Sequence, residues 1–207
     1  NQQTDHNCMN CHSFRMHAPD DMLFHMRSTY GGTYVWTNGV LEKLDGKVSD
    51  AIQSLVYPYW HPSGDYVAFS TNQTKQMFHM KDKNRIEVFD MSSDVLVYDV
   101  RNHRVVTDSL LFSKQAFETF PSFSPDGKTL YFSSSVAQKM PIDYKKVKYN
   151  ICSISFDAET GRFGTQVDTL FSVEQTGKTG TFPRVSPDGK FLAFTEADYG
   201  NFTIWHK

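Results

Sequence analysis

Three stretches of this chain repeat one another without a gap, and that repeat limits the fold more than any other feature. They are YPYWHPSGDYVAF from Tyr57, FPSFSPDGKTLYF from Phe120 and FPRVSPDGKFLAF from Phe182. Their prolines at 58, 121 and 183 set a period of roughly 62 residues. Each copy reads as a short apolar strand, a turn built on proline and glycine, and a second apolar strand. Proline presets φ at the turn's second position and glycine supplies the positive φ that follows, so the hairpin has a mechanism.

Each copy continues alike. After VAFSTN comes a polar stretch, then DVLVYDV, a turn at RNHR, and VVTDSLLF; after LYFSSS comes another polar stretch, then YNICSISFD, AETG and FGTQVDTLFSV. Four antiparallel strands per unit, here lettered a to d from the inside outwards, is the arithmetic of a β-propeller blade. The long insertions, 72–93 and 136–148, then fall between strands b and c. Seventeen Phe and ten Tyr agree with an all-β chain, because aromatic side chains suit a pleated, half-buried surface. At 207 residues the chain is long enough to bury a core without metal or disulfide staples.

These residues resemble the WD-like repeat of the TolB family, whose hallmark is Pro-x-(aromatic)-Ser-Pro-Asp-Gly between two strands. The resemblance covers 57–207, and the first copy departs from it, with His61 for Ser and Ser63 for Asp. Upstream, DMLFHMRSTYGGTYVWTNGVLEKL reads as strands b, c and d of a preceding blade. There Met22 overlays Val67, Leu130 and Leu192, and His25 takes the place of Ser70, Ser133 and Thr195. The expected division is therefore a segment over 1–21, a partial blade over 22–50, blades over 51–113 and 114–175, and an incomplete blade over 176–207. A propeller removes its exposed edges by closing its ring. This count gives only a partial ring, and the expectation is a fragment of a longer polypeptide.

Ahead of the blades stands NCMNCHSF. Cys8-Met-Asn-Cys11-His12 has the spacing of c-type haem attachment: two thiols add across two vinyl groups, and the next histidine becomes the proximal iron ligand. Other readings stay open. Structural zinc needs four ligands and finds only Cys152 beyond the pair. A redox dithiol wants a βαβ setting, which is missing here. A Cys8–Cys11 disulfide or a chance pattern is the plainest alternative. A CxxCH-Ser-Phe segment running into Met-x-Phe-His-x-Arg, Gly-Gly-Thr and WHPSG resembles the Bacteroidetes TolB-like propellers that carry a cytochrome motif. That resemblance implies export to the periplasm or outer envelope, and with covalent haem c the expected use is electron transfer or redox sensing with a redox or cell-envelope partner.

The sixth iron ligand has several candidates. His25 comes first, because other blades carry small hydroxyls in its place; Met16 and His17 stand behind it. Met22, Phe24 and Met26 share one side of strand b and read as packing residues. If the haem segment enters where strand b starts, His61 at the next a–b turn is within reach and His79 in the b–c insertion is not. Arg27 is the candidate partner for a haem propionate, through a charge-assisted hydrogen bond.

The rest of the chain offers no catalytic motif. There is no G-x-S-x-G elbow, no phosphate loop and no H-E-x-x-H. Asp126 and Asp188 occupy one slot of the repeat and read as turn residues rather than a carboxylate pair. A net charge of −2 gives no reason to expect nucleic acid, and no apolar run reaches the roughly 20 residues needed to span a bilayer. Asn72-Gln-Thr74 and Asn201-Phe-Thr203 match the glycosylation sequon. The second insertion gathers Lys139, Lys145, Lys146 and Lys148 beside Tyr144 and Tyr149, a rim able to meet an acidic partner or an anionic glycan. The rival to the haem reading is a non-enzymatic propeller scaffold that binds a protein or envelope component.

Overall fold

The computed structural model describes residues 8–44, 55–78, 80 and 86–198. Its first sheet orders four strands in sequence: β1 (Met9–Phe14), β2 (Met22–Met26), β3 (Gly32–Thr37) and β4 (Val40–Lys43). The second does the same with β5 (Leu55–Trp60), β6 (Tyr66–Phe78), β7 (Ile86–Asp99) and β8 (Arg104–Val106). The third holds β9 (Ala116–Phe123), β10 (Thr129–Val136), β11 (Asn150–Asp157) and β12 (Arg162–Phe171), and the last is the hairpin β13 (Thr179–Val185) with β14 (Leu192–Ala197). All pairings are antiparallel. Strands β1, β5, β9 and β13 lie side by side as the innermost strands of successive blades. The chain is thus an all-β arc of four-stranded propeller blades, and its described residues close no ring.

Two expectations change. The segment ahead of the first blade is itself that blade's strand a: Met9 pairs with Met26 and Phe14 with Met22. Cys11 and His12 of the CxxCH motif therefore lie within the sheet, and Cys8 stands just ahead of it. Over its described residues up to Phe78 and from Ile86 the insertion 72–93 is paired strand as well, since β6 and β7 run on past the blade. The second insertion instead holds a single 3₁₀ turn, Tyr144–Lys146.

Blades pack face to face. Leu23, Val35 and Leu44 of blade 1 meet Leu55, Trp60, Val67, Phe69, Leu96 and Tyr98 of blade 2. The other face of blade 2 (Tyr66, Ala68, Val95, Val97) packs on Phe123, Leu130, Phe132, Cys152, Ile154 and Phe156 of blade 3. Alternation along the strands assigns these faces. It also turns Met22, Phe24, Tyr34 and Trp36 outward from blade 1, where Phe24 stacks on Tyr34 at 5.5 Å between ring centres.

Candidate functional site: the inner strand of the first blade

Every inner strand is broken at one place. In β1 the register shifts between Asn10 and Ser13, so Cys11 and His12 together face Phe24, and Cys11 takes a left-handed φ of 50°. Tyr57, Phe120 and Phe182 sit at the same bulge of their own strands with φ of 51°, 55° and 55°. A β-bulge re-aims a side chain and bends its strand. Here it gathers the three aromatic rings, with centres 4.8 Å apart for Tyr57–Phe120, 6.2 Å for Tyr57–Phe182 and 3.9 Å for Phe120–Phe182. Blade 1 puts a thiol in that slot, and an imidazole where the others have Pro58, Pro121 and Pro183. The signal was present in the sequence: CHSF aligns with YPYW, FPSF and FPRV once the thiol is allowed to replace a ring.

Cys8 is exposed, Cys11 is half-buried, and neither forms a disulfide. Three residues apart in an undisturbed strand they would face opposite sides; the bulge at Cys11 breaks that alternation. The Cys8 carbonyl accepts the Arg27 N–H at 2.9 Å, which fixes Cys8 at the b–c end of the blade. With the Asn10 amide oxygen turned towards Arg27, the guanidinium donates to it at 2.9 and 3.1 Å, so this exposed arginine stands beside the first thiol. His12 is exposed, its ring edge-on to Phe14 at 6.2 Å, and forms no hydrogen bond among the described residues.

The other candidates are not brought to His12. His25 pairs with Thr33, and its Nδ1 lies 3.1 Å from the Thr33 hydroxyl on the face turned to blade 2. Burial, and then the Arg27 charge, lower its pKa. Phe14, against which His12 stands, pairs with Met22 on the outward face. Met16 and His17 lie in the a–b turn at the far end of β1, both exposed and both with positive φ. His79 lies outside the described residues. His61 is at the a–b end, opposite Cys8, which reverses the expected order of reach. It is also engaged: Nδ1 accepts the Ser63 N–H at 3.0 Å, so Nε2 carries the proton and donates to Gly127 O at 3.0 Å. Cys152 is buried in blade 3, and burial pushes its thiol up to about 11. Among the described residues no three His, Cys, Asp or Glu side chains cluster as a metal would require.

A polar network that sequence reasoning missed continues from the bulge. Burial first, then Asp90 and Cys11, push the Tyr57 phenol up. Asp90 is buried and accepts from Asn72 Nδ2 at 2.6 Å and Thr74 Oγ1 at 2.8 Å. Ser70 donates to Asn72 and lies 3.0 Å from Thr119 Oγ1 across the blade boundary. Asn72 is therefore a buried network member, which removes it as a glycan acceptor. Nearby Glu118 is only 3% exposed. Burial, then the Asp94 charge, raise its carboxyl to about 8. The pattern Ser-x-Asn in strand b was the only sequence trace of this network.

No family model matches the chain, and no curated protein matches it. Solved structures do. A protein assigned as TolB in Agrobacterium tumefaciens superposes with a TM-score of 0.58 at 14% identity, covering 91% of this chain and 54% of its own. The GH74 xyloglucanase of Xanthomonas campestris gives 0.57 at 10% identity, with 91% of this chain and 27% of its own covered. TolB from Acinetobacter baumannii gives 0.49 at 16%, with 91% and 37% covered. The first two share this chain's fold, and the first of them is the TolB-named propeller. The chain spans about half the length of the Agrobacterium protein. No helix among the described residues is long and apolar enough to cross a membrane.

Proposed function

We propose that this chain is an exported β-propeller that carries one covalent c-type haem and exchanges single electrons through it. The observation that carries this reading is the donor set at the start of one inner strand. It offers two thiols outside any disulfide, at Cys8 and Cys11, and an exposed imidazole at His12 with no hydrogen bond among the described residues. Those are the groups that two thioethers and one proximal iron ligand need, so the residues present fit the group. Cys8 and Cys11 would hold the porphyrin edge, and His12 would hold the iron. Arg27, beside Cys8 through its backbone and Asn10, is placed to pair with a propionate. His25, bonded to Thr33, is then a residue that ties strand b to strand c. The bound group supplies a one-electron iron couple, and the protein supplies attachment, orientation and a partly apolar setting.

Production with export and haem ligation, followed by a pyridine haemochrome spectrum and haem stain on a denaturing gel, tests this. One haem per chain is expected, lost to covalent attachment when Cys8 and Cys11 are both replaced by Ala. A colourless protein after maturation removes the electron carrier. The second reading, favoured by the TolB-like fold itself, would then stand: a propeller scaffold that binds a protein or cell-envelope partner.

A further inference from the structure

The b–c end of the arc brings together features that are scattered in the sequence. Cys8 is there, held by the Arg27 N–H. So is the paired extension of β6 and β7, whose Phe89 stacks on Tyr144 of the blade 3 insertion at 5.6 Å with ring planes 19° apart. That contact fuses the two insertions into one surface. Its apolar part is unusually open: Phe78 is 72% exposed, Met80 89%, Val136 72% and Ile142 72%. All four lie at the b–c ends of their strands or in the insertion that follows, and exposed apolar side chains at one end of a fold mark an interaction surface. Its charged part is basic, since 136–148 has four lysines against one carboxylate, Asp143. Asp143 meets Lys146 at 2.9 Å, while the Lys145 ammonium sits 5.6 Å over the Tyr144 ring.

This surface also lies over the buried network of blade 2. Asp90 of the buried network beneath follows Phe89, the ring that Tyr144 covers. We infer that the b–c surface is where an acidic electron-transfer protein docks, with Lys139, Lys145 and Lys146 steering it and the apolar tip residues making the contact. Complementary charge around an apolar centre sets orientation and raises the association rate. This inference rests on the haem reading and adds the partner class and the face.

The test uses the mature haem protein and a reduced acidic flavodoxin as electron donor; one electron passes from flavin to iron(III) and is followed at the Soret band. Two charge-matched variants are compared, Lys145→Glu with Lys146→Glu on this face, and Lys128→Glu with Lys190→Glu at the opposite a–b turns. The first pair should slow the second-order rate about tenfold at low salt and flatten its fall with rising salt, and the second pair should change little. Equal effects from both pairs, or none from either, overturn the inference while leaving the haem spectrum and the proposed function intact. Loss of binding to phosphatidylserine vesicles by the first pair, with flavodoxin rates unchanged, overturns it in favour of a membrane. A colourless mature protein overturns both.

Discussion

Blade 1 and blade 3 are the same backbone put to different uses. Both have four strands in order, the same bulge in strand a, and a left-handed residue there, Cys11 at φ 50° and Phe120 at φ 55°. In blade 3 the slot is filled by a fully buried ring. The turn that follows is closed by Ser124 donating to Asp126 at 2.6 Å and accepting from the Thr129 N–H at 3.0 Å. In blade 1 the slot holds a thiol, the next position an exposed imidazole, and the turn is closed by an Arg15–Asp21 ion pair at 3.3 Å. The bulge is thus a property of the repeat, and its side chain is free to vary. That freedom lets chemistry enter the inner strand without a change of fold.

The sharpest way to break this comparison is to give blade 1 the residue of blade 3. Cys11→Phe should fold with a melting temperature no lower than the parent's, since the slot already accepts rings in three blades. It should lose the second thioether completely. Haem stain on a denaturing gel and thermal melting by circular dichroism read the two outcomes together. A variant that unfolds would show that the slot in blade 1 differs from the others in more than its side chain.

A smaller effect separates two glycines that the repeat makes equivalent. Gly127 and Gly189 both have φ +73°, yet a Cβ on Gly127 would run into the His61 ring, and one on Gly189 meets nothing within 4 Å. Gly189→Ala should cost about 1 kcal/mol, the conformational term alone. Gly127→Ala adds overpacking and a displaced His61, and should cost about 2–4 kcal/mol. Urea unfolding of the two variants measures the gap. Equal losses would mean that the His61 approach contributes nothing.

Much of this was legible from the residues, and the parts that were not share one cause. The four-stranded unit, the strand order of blades 2 and 3 and the turn roles of Asp126 and Asp188 follow from local pattern, and the structure shows both aspartates accepting within their own turns. The strand role of Met9–Phe14 was hidden because its thiol and imidazole stand where the repeat has an aromatic and a proline, so alignment by residue type fails there. The long b–c hairpin was hidden because its β6 half, Gln73–Gln76, is polar and exposed, without the alternation that marks a half-buried strand. The Asp90 and Glu118 burial was out of reach altogether. It arises where blade 2 packs on blade 3, and no local pattern reports a boundary between units about 60 residues apart.

The smallest effect concerns the turn of blade 2, where the repeat departs from its own rule and keeps its geometry. His61 Nδ1 does the work of the serine oxygen, accepting the Ser63 N–H, and Ser63 Oγ does that of the aspartate, accepting the Asp65 N–H at 3.1 Å. Burial first lowers the His61 pKa, with the Gly127 hydrogen bond opposing it. A histidine whose folded pKa is depressed binds its proton more readily when unfolded, so its share of stability is complete above about pH 6.5 and falls away as the pH drops below that. Protonation of Nδ1 removes the acceptor for Ser63 N–H, worth about 1 kcal/mol. Restoring the rule with His61→Ser and Ser63→Asp removes a buried ring and its bond to Gly127 O, and should cost about 1–3 kcal/mol at pH 7.5. Between pH 6.5 and 5 the variant should lose less stability than the parent. His25 titrates in the same direction in both proteins and cancels from the difference. Parallel stability curves over that range would show that His61 is held by packing alone and that its ring nitrogens do not matter to the turn.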